Sequence, residues 1–249
     1  MSSMTTQIKI NYKEYPECMF AMISAFLQPH EGEELRRIAG KVGYRSDVDG
    51  RTYRNGLFHS YDDLPALVNT NKNEWYKNGV LHRDDDLPAV IEGNILSWFK
   101  NGYLHREGDR PAVFESETNQ KWYRKGLLHR DGDLPAEING SIQTWYNNGN
   151  IHREGDLPAY INGDYQKWYK NDRIHREGDL PAVVDIDRQV WYKNGLIHRD
   201  GDLPAIVEHN RTVWYKKNKR HREGNLPAVV SGEKMEWWVN GVMIRYVNI

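Results

Sequence analysis

Cysteine is almost missing: the 249-residue chain holds one, Cys18. That excludes an internal disulfide framework and fits a reducing compartment. An excess of either charge is missing too. The 34 Lys and Arg stand against 35 Asp and Glu, for a formal net charge of -1. Chains whose main partner is nucleic acid carry a basic surplus or stripe, so this balance argues against that class. Long apolar runs are absent. The longest, Cys18 to Leu27, is about half of what a membrane span needs. No N-terminal signal peptide is evident. These absences together read as an intracellular, cytoplasmic chain.

Aromatic residues, by contrast, are plentiful: 9 Trp and 15 Tyr in a chain of mean hydropathy -0.83. Disordered chains are poor in aromatics, so this one folds. Its apolar surface comes from large rings rather than aliphatic runs.

The rings are periodic. The stretch W-Y-N-N-G-N-I-H-R-E-G-D-L-P-A, Trp145 to Ala159, returns with small edits from about residue 50 onward. Its histidine recurs as His59, His82, His105, His129, His152, His175, His198 and His221, at intervals of 23 residues with a single 24. Proline recurs in step from Pro65 to Pro227. Tryptophan recurs from Trp75 to Trp237, with Thr52 in the first slot. A fixed period of this size marks a repeat architecture.

Each repeat announces a hairpin. Asn-Gly between aromatic and apolar residues, as at Asn78-Gly79, favours a two-residue type I′ turn with φ above zero at both positions. Such a turn fixes the register. It sets Lys77 opposite Val80, Tyr76 opposite Leu81, Trp75 opposite His82 and Glu74 opposite Arg83. The Tyr and Leu slots then share one face as a continuous core stripe, and Trp and His share the other. A second turn is expected at Asn139-Gly140, Asn162-Gly163 and Ser231-Gly232. The one inserted residue falls within Glu115 to Asn119, as insertions collect at turns. The segment H-R-[DE]-G-D-L-P-A cannot be a central strand, because Pro lacks the ladder donor. It reads as a bend whose Leu and Pro lie against the next Trp.

One repeat cannot fold alone. Burying its Trp stabilises by roughly 4–6 kcal/mol, against at least about 1 kcal/mol per residue of backbone entropy. Packing on both sides is required. The expected fold is therefore an all-β array, an antiparallel hairpin meander, at 49–249, with eight full repeats and a C-terminal half repeat. A small α-helical cap at 1–48 would cover its open end.

In that cap, Met19, Met22, Ile23, Phe26 and Leu27 share one helical face, and Pro16 suits the helix start. A second helix is expected near Glu33 to Val42. The spacing of Pro16, Glu17, Ile23, Leu27, Leu35, Val42 and Tyr44 resembles a short F-box. That resemblance implies docking onto a ubiquitin-ligase adaptor through Pro16, Ile23, Leu27, Leu35 and Val42, with the repeats reading substrates. The other reading is a cap alone.

The repeat itself resembles the MORN hairpin module, through Tyr146, Asn148, Gly149, His152 and Gly155. Arg153 and the added W-Y and L-P-A pairs depart from that module. The longer pattern W-Y-x-N-G-x-x-H-R-[DE]-G-x-L-P-A resembles repeats encoded in many copies by large nucleocytoplasmic DNA viruses. Both resemblances imply a scaffold rather than an enzyme. They point to a structural or assembly component of a large complex such as a virus particle, with capsid or assembly proteins as partners. A second copy could also pair through the C-terminal sheet edge.

The evenly spaced histidines do not read as a catalytic or zinc centre. A site needs its residues once, converging, and zinc needs three or four ligands at about 2 Å. The expected role is architectural, with His packed on the cross-strand Trp and Arg paired with nearby acids. Acidic bends such as Asp131-Gly132-Asp133 read as turns, since calcium wants six or more oxygens. No catalytic, cofactor or metal residue is assigned. One local break remains, the basic cluster Arg211, Lys216, Lys217, Lys219, Arg220 and Arg222. It reads as a solvated terminal face or, alternatively, as a contact site for an acidic partner such as a phosphate-bearing polymer or a membrane surface.

Overall fold

The computed structural model describes residues 51–249, and all their regular structure is β. The expected helical cap lies outside them. The chain divides into two compact units, Met1–Tyr103 and Leu104–Ile249.

In the second unit each repeat forms two hairpins of different kinds. The repeat around Gly140 is representative. Glu137–Asn139 pairs with Ile142–Thr144, and that strand then pairs with Tyr160–Asn162 of the following repeat. These longer strands continue in sequence order, each antiparallel to its neighbours, down to Lys234–Val239 and Val242–Asn248. Between them, Tyr146–Asn147 and Asn150–Ile151 make a short separate hairpin. Its turn residues Asn148 and Gly149 have φ of 48° and 86°, as a type I′ turn demands. One backbone bond ties each short hairpin to the one before it: the Gly149 amide donates to the Leu128 carbonyl at 2.9 Å.

Taken by itself, the first unit has the same parts. Leu67–Asn69, Lys72–Glu74, Val90–Glu92 and Ile95–Ser97 form its ladder, and Tyr76–Lys77 with Val80–Leu81 a short hairpin.

The chain passes between its two kinds of hairpin at Trp. The Trp145 amide donates to the Ala159 carbonyl, while the Trp145 carbonyl accepts from the His152 amide. The alanines at this junction, including Ala136, Ala159, Ala182 and Ala205, are 0% exposed, so any larger side chain would have to displace the next repeat. Trp122, Trp145, Trp168 and Trp191 are buried beside them.

The short-hairpin register is as expected, with Tyr76 opposite Leu81 and Lys77 opposite Val80. The inserted residue is taken up as a bulge between Phe114 and Ser116. Four local expectations change. Glu74 does not face Arg83; it belongs to the longer ladder, opposite Leu67 and Val90, because the chain changes hairpins at Trp75. The second turn is Gly140-Ser141, since Asn139 already pairs with Ile142. The Tyr and Leu slots are half-buried rather than a sealed stripe, as Tyr146 and Ile151 illustrate. The bend leucines Leu134, Leu157, Leu180, Leu203 and Leu226 are 41–43% exposed. A guanidinium lies over the Trp ring in these repeats.

Side chains directly opposite one another share a face, so the registers define one row across the second unit. It runs Val113, Lys121, Glu137, Thr144, Tyr160, Lys167, Val183, Val190, Ile206, Val213, Val229 and Glu236. From Val183 to Val229 it is apolar and buried. From Lys121 to Lys167 it is polar.

Candidate functional site

Arginine, tryptophan and aspartate build the most repeated constellation. Arg153 lies over the Trp145 ring, its Cζ 3.9 Å from the centroid. Its Nε and Nη2 donate to both carboxylate oxygens of Asp133, one repeat earlier, at 2.7 and 3.0 Å. Its Nη1 donates to the Pro158 carbonyl at 3.2 Å, and Trp145 Nε1 donates to the Asp133 carbonyl at 3.2 Å. Bidentate pairing adds geometric specificity, and stacking adds cation–π attraction. The clamp recurs as Arg176 on Trp168 with Asp156, Arg199 on Trp191 with Asp179, and Arg222 on Trp214 with Asp202. In the first unit it is Arg83 on Trp75 with Asp63. Guanidinium hydrogen bonds hold the carboxyls of Asp109, Asp133, Asp156, Asp179 and Asp202 below the usual carboxylate range.

The sequence explains why the aspartate sits there. Asp133 has φ of 53°, a left-handed conformation that Asp and Asn tolerate. At two positions the clamp is altered. Thr52 and Ser60 hold the first Trp and Arg slots; Thr52 Oγ1 donates to the His59 carbonyl, and Ser60 Oγ accepts from the Tyr76 amide. Asn225 holds the last Asp slot, and Arg245 stands 4.6 Å from the Trp237 ring.

The histidines form a second series. His152 Nδ1 accepts from the Asn171 amide of the next turn at 3.4 Å, and its Nε2 lies 2.9 Å from Glu154. The same two contacts hold His82 to the Asn101 amide and Asp84, and His129 to the Asn148 amide and Asp131. An Nδ1 that accepts requires the Nε2–H tautomer or its equivalent. The imidazole hydrogen bond lowers the carboxyl pKa of Asp84, Asp131, Glu177 and Glu223. His59 is pushed down from its ordinary value by burial and by the nearby Arg54 charge. His198 Nδ1 is the exception and has no hydrogen-bond partner. Arg thus lies over the Trp ring, while His fastens successive turns. Among the described residues, no group of three or more His, Cys, Asp or Glu stands together as a metal site would require.

The basic cluster is largely answered from within. Arg211 pairs with Glu208, Lys216 with Glu223 and Arg222 with Asp202. Arg220, in a slot that is apolar elsewhere, lies 4.8 Å from the Trp238 ring and 3.8 Å from Glu236. Lys217 and Lys219 are exposed at the turn. The F-box-like positions Pro16, Ile23, Leu27, Leu35 and Val42 lie outside the described residues. In the C-terminal hairpin every residue of Val242–Asn248 is exposed.

Sequence reasoning missed the polar half of the row. Lys121 Nζ pairs with Glu137 at 2.8 Å, and Tyr146 Oη donates to Glu137 at 3.3 Å. Thr144 is buried. Burial, then the Glu137 charge, push the Tyr146 hydroxyl up to about 12. The signal was available in the residue before each Trp: Lys121, Thr144 and Lys167 in three repeats, Val190 and Val213 in the next two.

No protein-family model, curated protein or solved structure matches this chain.

Proposed function

We propose that this chain is a non-enzymatic repeat scaffold that offers an extended surface to other proteins. One observation carries the reading: the histidine and the arginine recur once per repeat, and most copies are already engaged in bonds within the array, many of them to a neighbouring repeat. The imidazole bonds an amide and a carboxylate, and the guanidinium bonds a carboxylate and a carbonyl while stacking on Trp. A catalytic centre needs such groups to converge once, on open space. The likeness to virus-encoded repeats favours a role in the structure or assembly of a large complex.

The test is reconstitution. A protein captured on the intact array should re-form a complex of fixed stoichiometry from purified components, measured by light scattering after size exclusion. Turnover of a small substrate, abolished by one histidine substitution that leaves the melting temperature unchanged, would contradict the reading.

A further inference from the structure

The cations on the row's face of the second unit are nearly all answered by a carboxylate. Lys121 has Glu137 at 2.8 Å, Arg188 has Glu208 at 3.2 Å, Arg211 has Glu208 at 3.4 Å, and Lys234 has Glu236 at 2.6 Å. The Lys121 pair is formed directly across the strands. Lys167 is different. Its cross-strand neighbours are Tyr160 and Val183, so no carboxylate stands opposite it. Its ammonium lies 5.1 Å from the Tyr160 ring centroid and 4.8 Å from that of Tyr165. Those two rings meet edge to face, 6.0 Å apart.

Lys167 is also half-buried, as are Tyr160 and Tyr165. Ring faces attract a cation but do not neutralise it. A partly desolvated ammonium gains most from a counter-charge delivered close by. Along the polar stretch the row charges are Lys121 (+1), Glu137 (−1) and Lys167 (+1), a surplus of one positive charge. The Lys167 side chain is already hydrogen-bonded to Tyr165, and what the surroundings still offer a carboxylate on a peptide is one ammonium for its charge beside two aromatic rings. Tyrosine-rich surfaces are common in protein recognition because two-torsion rings lose little entropy on binding.

We propose that Lys167, framed by Tyr160 and Tyr165, is a docking point for a carboxylate on an acidic segment of a partner protein. This rests on the scaffold reading above and names the chemistry of the partner it takes.

The probe is a capped hexa-glutamate peptide, titrated calorimetrically into the full chain at low salt, with capped hexa-glutamine and inorganic phosphate as the other arms. Hexa-glutamate should bind and hexa-glutamine should not. Lys167→Met should weaken hexa-glutamate binding about tenfold, Lys167→Arg should restore most of it, and Lys219→Met should leave it within about twofold. Phosphate should not compete at equal charge concentration. Melting curves of the variants accompany each titration. Absent hexa-glutamate binding overturns the proposal, as does binding indifferent to Lys167→Met in a folded variant. Equal weakening by Lys219→Met would reduce the effect to diffuse surface charge and overturn it as well. Effective competition by phosphate would make the site a receptor for free anions rather than for a protein. Any of these failures leaves the scaffold reading standing if a stoichiometric complex still re-forms from purified components.

Discussion

Two stretches of one row in the second unit, Val183 to Val229 and Lys121 to Lys167, sit on the same kind of backbone and behave oppositely. The first is a packed aliphatic cluster, with Ile174, Tyr192 and Ile197 against it. The second pairs Lys121 with Glu137, buries Thr144 and frames Lys167 with tyrosines. Yet Arg153 on Trp145 and Arg199 on Trp191 are clamped at the same 3.9 Å. The skeleton is therefore carried by the clamp, the alanine junction and the turns. The row is free to differ from repeat to repeat, and that is where individuality appears.

A lysine placed at matched row positions should break the likeness most. Val213→Lys sets an unpaired charge among Val190, Ile206 and Val229 and should cost about 4 kcal/mol. Thr144→Lys meets Glu137 directly across the strand and should cost about 1 kcal/mol. Urea unfolding of the two variants measures the difference; equal costs would mean that the two stretches are not distinct environments.

Removing the clamp should instead erase the difference. Arg153→Ala and Arg199→Ala should each lose about 2–3 kcal/mol, discounted because the aspartates are half exposed. Denaturant midpoints that differ widely between the two would tie the clamp to the row.

Changing Lys167 to Val imports the apolar pattern into the polar stretch. It should leave stability within about 1 kcal/mol of the parent, because it removes an ammonium without a carboxylate partner and adds an aliphatic contact with Val183. A large loss by thermal melting would show that Lys167 is needed for the fold.

The smallest expected effect is a pH dependence. Tyr146 has its pKa raised to about 12, so the folded state holds its proton where the unfolded state, near 10, has lost it. Its contribution is fully present below about pH 10 and is lost as pH rises toward about 12, on the order of 1 kcal/mol after allowing for its half-exposed ring. Tyr146→Phe should flatten alkaline unfolding over that window; an unchanged profile would count against burial and the Glu137 charge holding this hydroxyl's proton in the folded state.

The repeat, the short-hairpin register and the site of the inserted residue were legible because they follow from local chemistry. Asn148-Gly149 dictates its turn without reference to anything distant, and one extra residue near Glu115 must bulge somewhere between two fixed registers. The clamp was less legible. Arg153 reaches back over Trp145 and on to Asp133 of another repeat, and linear spacing does not say which of several acids an arginine selects. The histidine was given the Trp face because the two-residue turn sets Trp opposite His; the backbone does so, and the planar guanidinium over the ring was not foreseen. Leu157 was assigned to the next ring, Trp168, for its apolarity; it stays 41% exposed, and Arg176 lies over that ring. The polar row was hidden because its residues lie between the motifs, where Lys121, Thr144 and Lys167 look like ordinary surface residues until the register aligns them.

The histidine series tests the central claim most directly. His129→Ala, His152→Ala and His175→Ala each remove one bond to the next turn's amide and one to a carboxylate. Thermal melts of the three, run beside partner binding, should show comparable losses of about 1–2 kcal/mol, with binding falling only as far as folding does. One variant that melts like the parent yet has lost function, beside two that keep it, would contradict the claim that these side chains are fasteners.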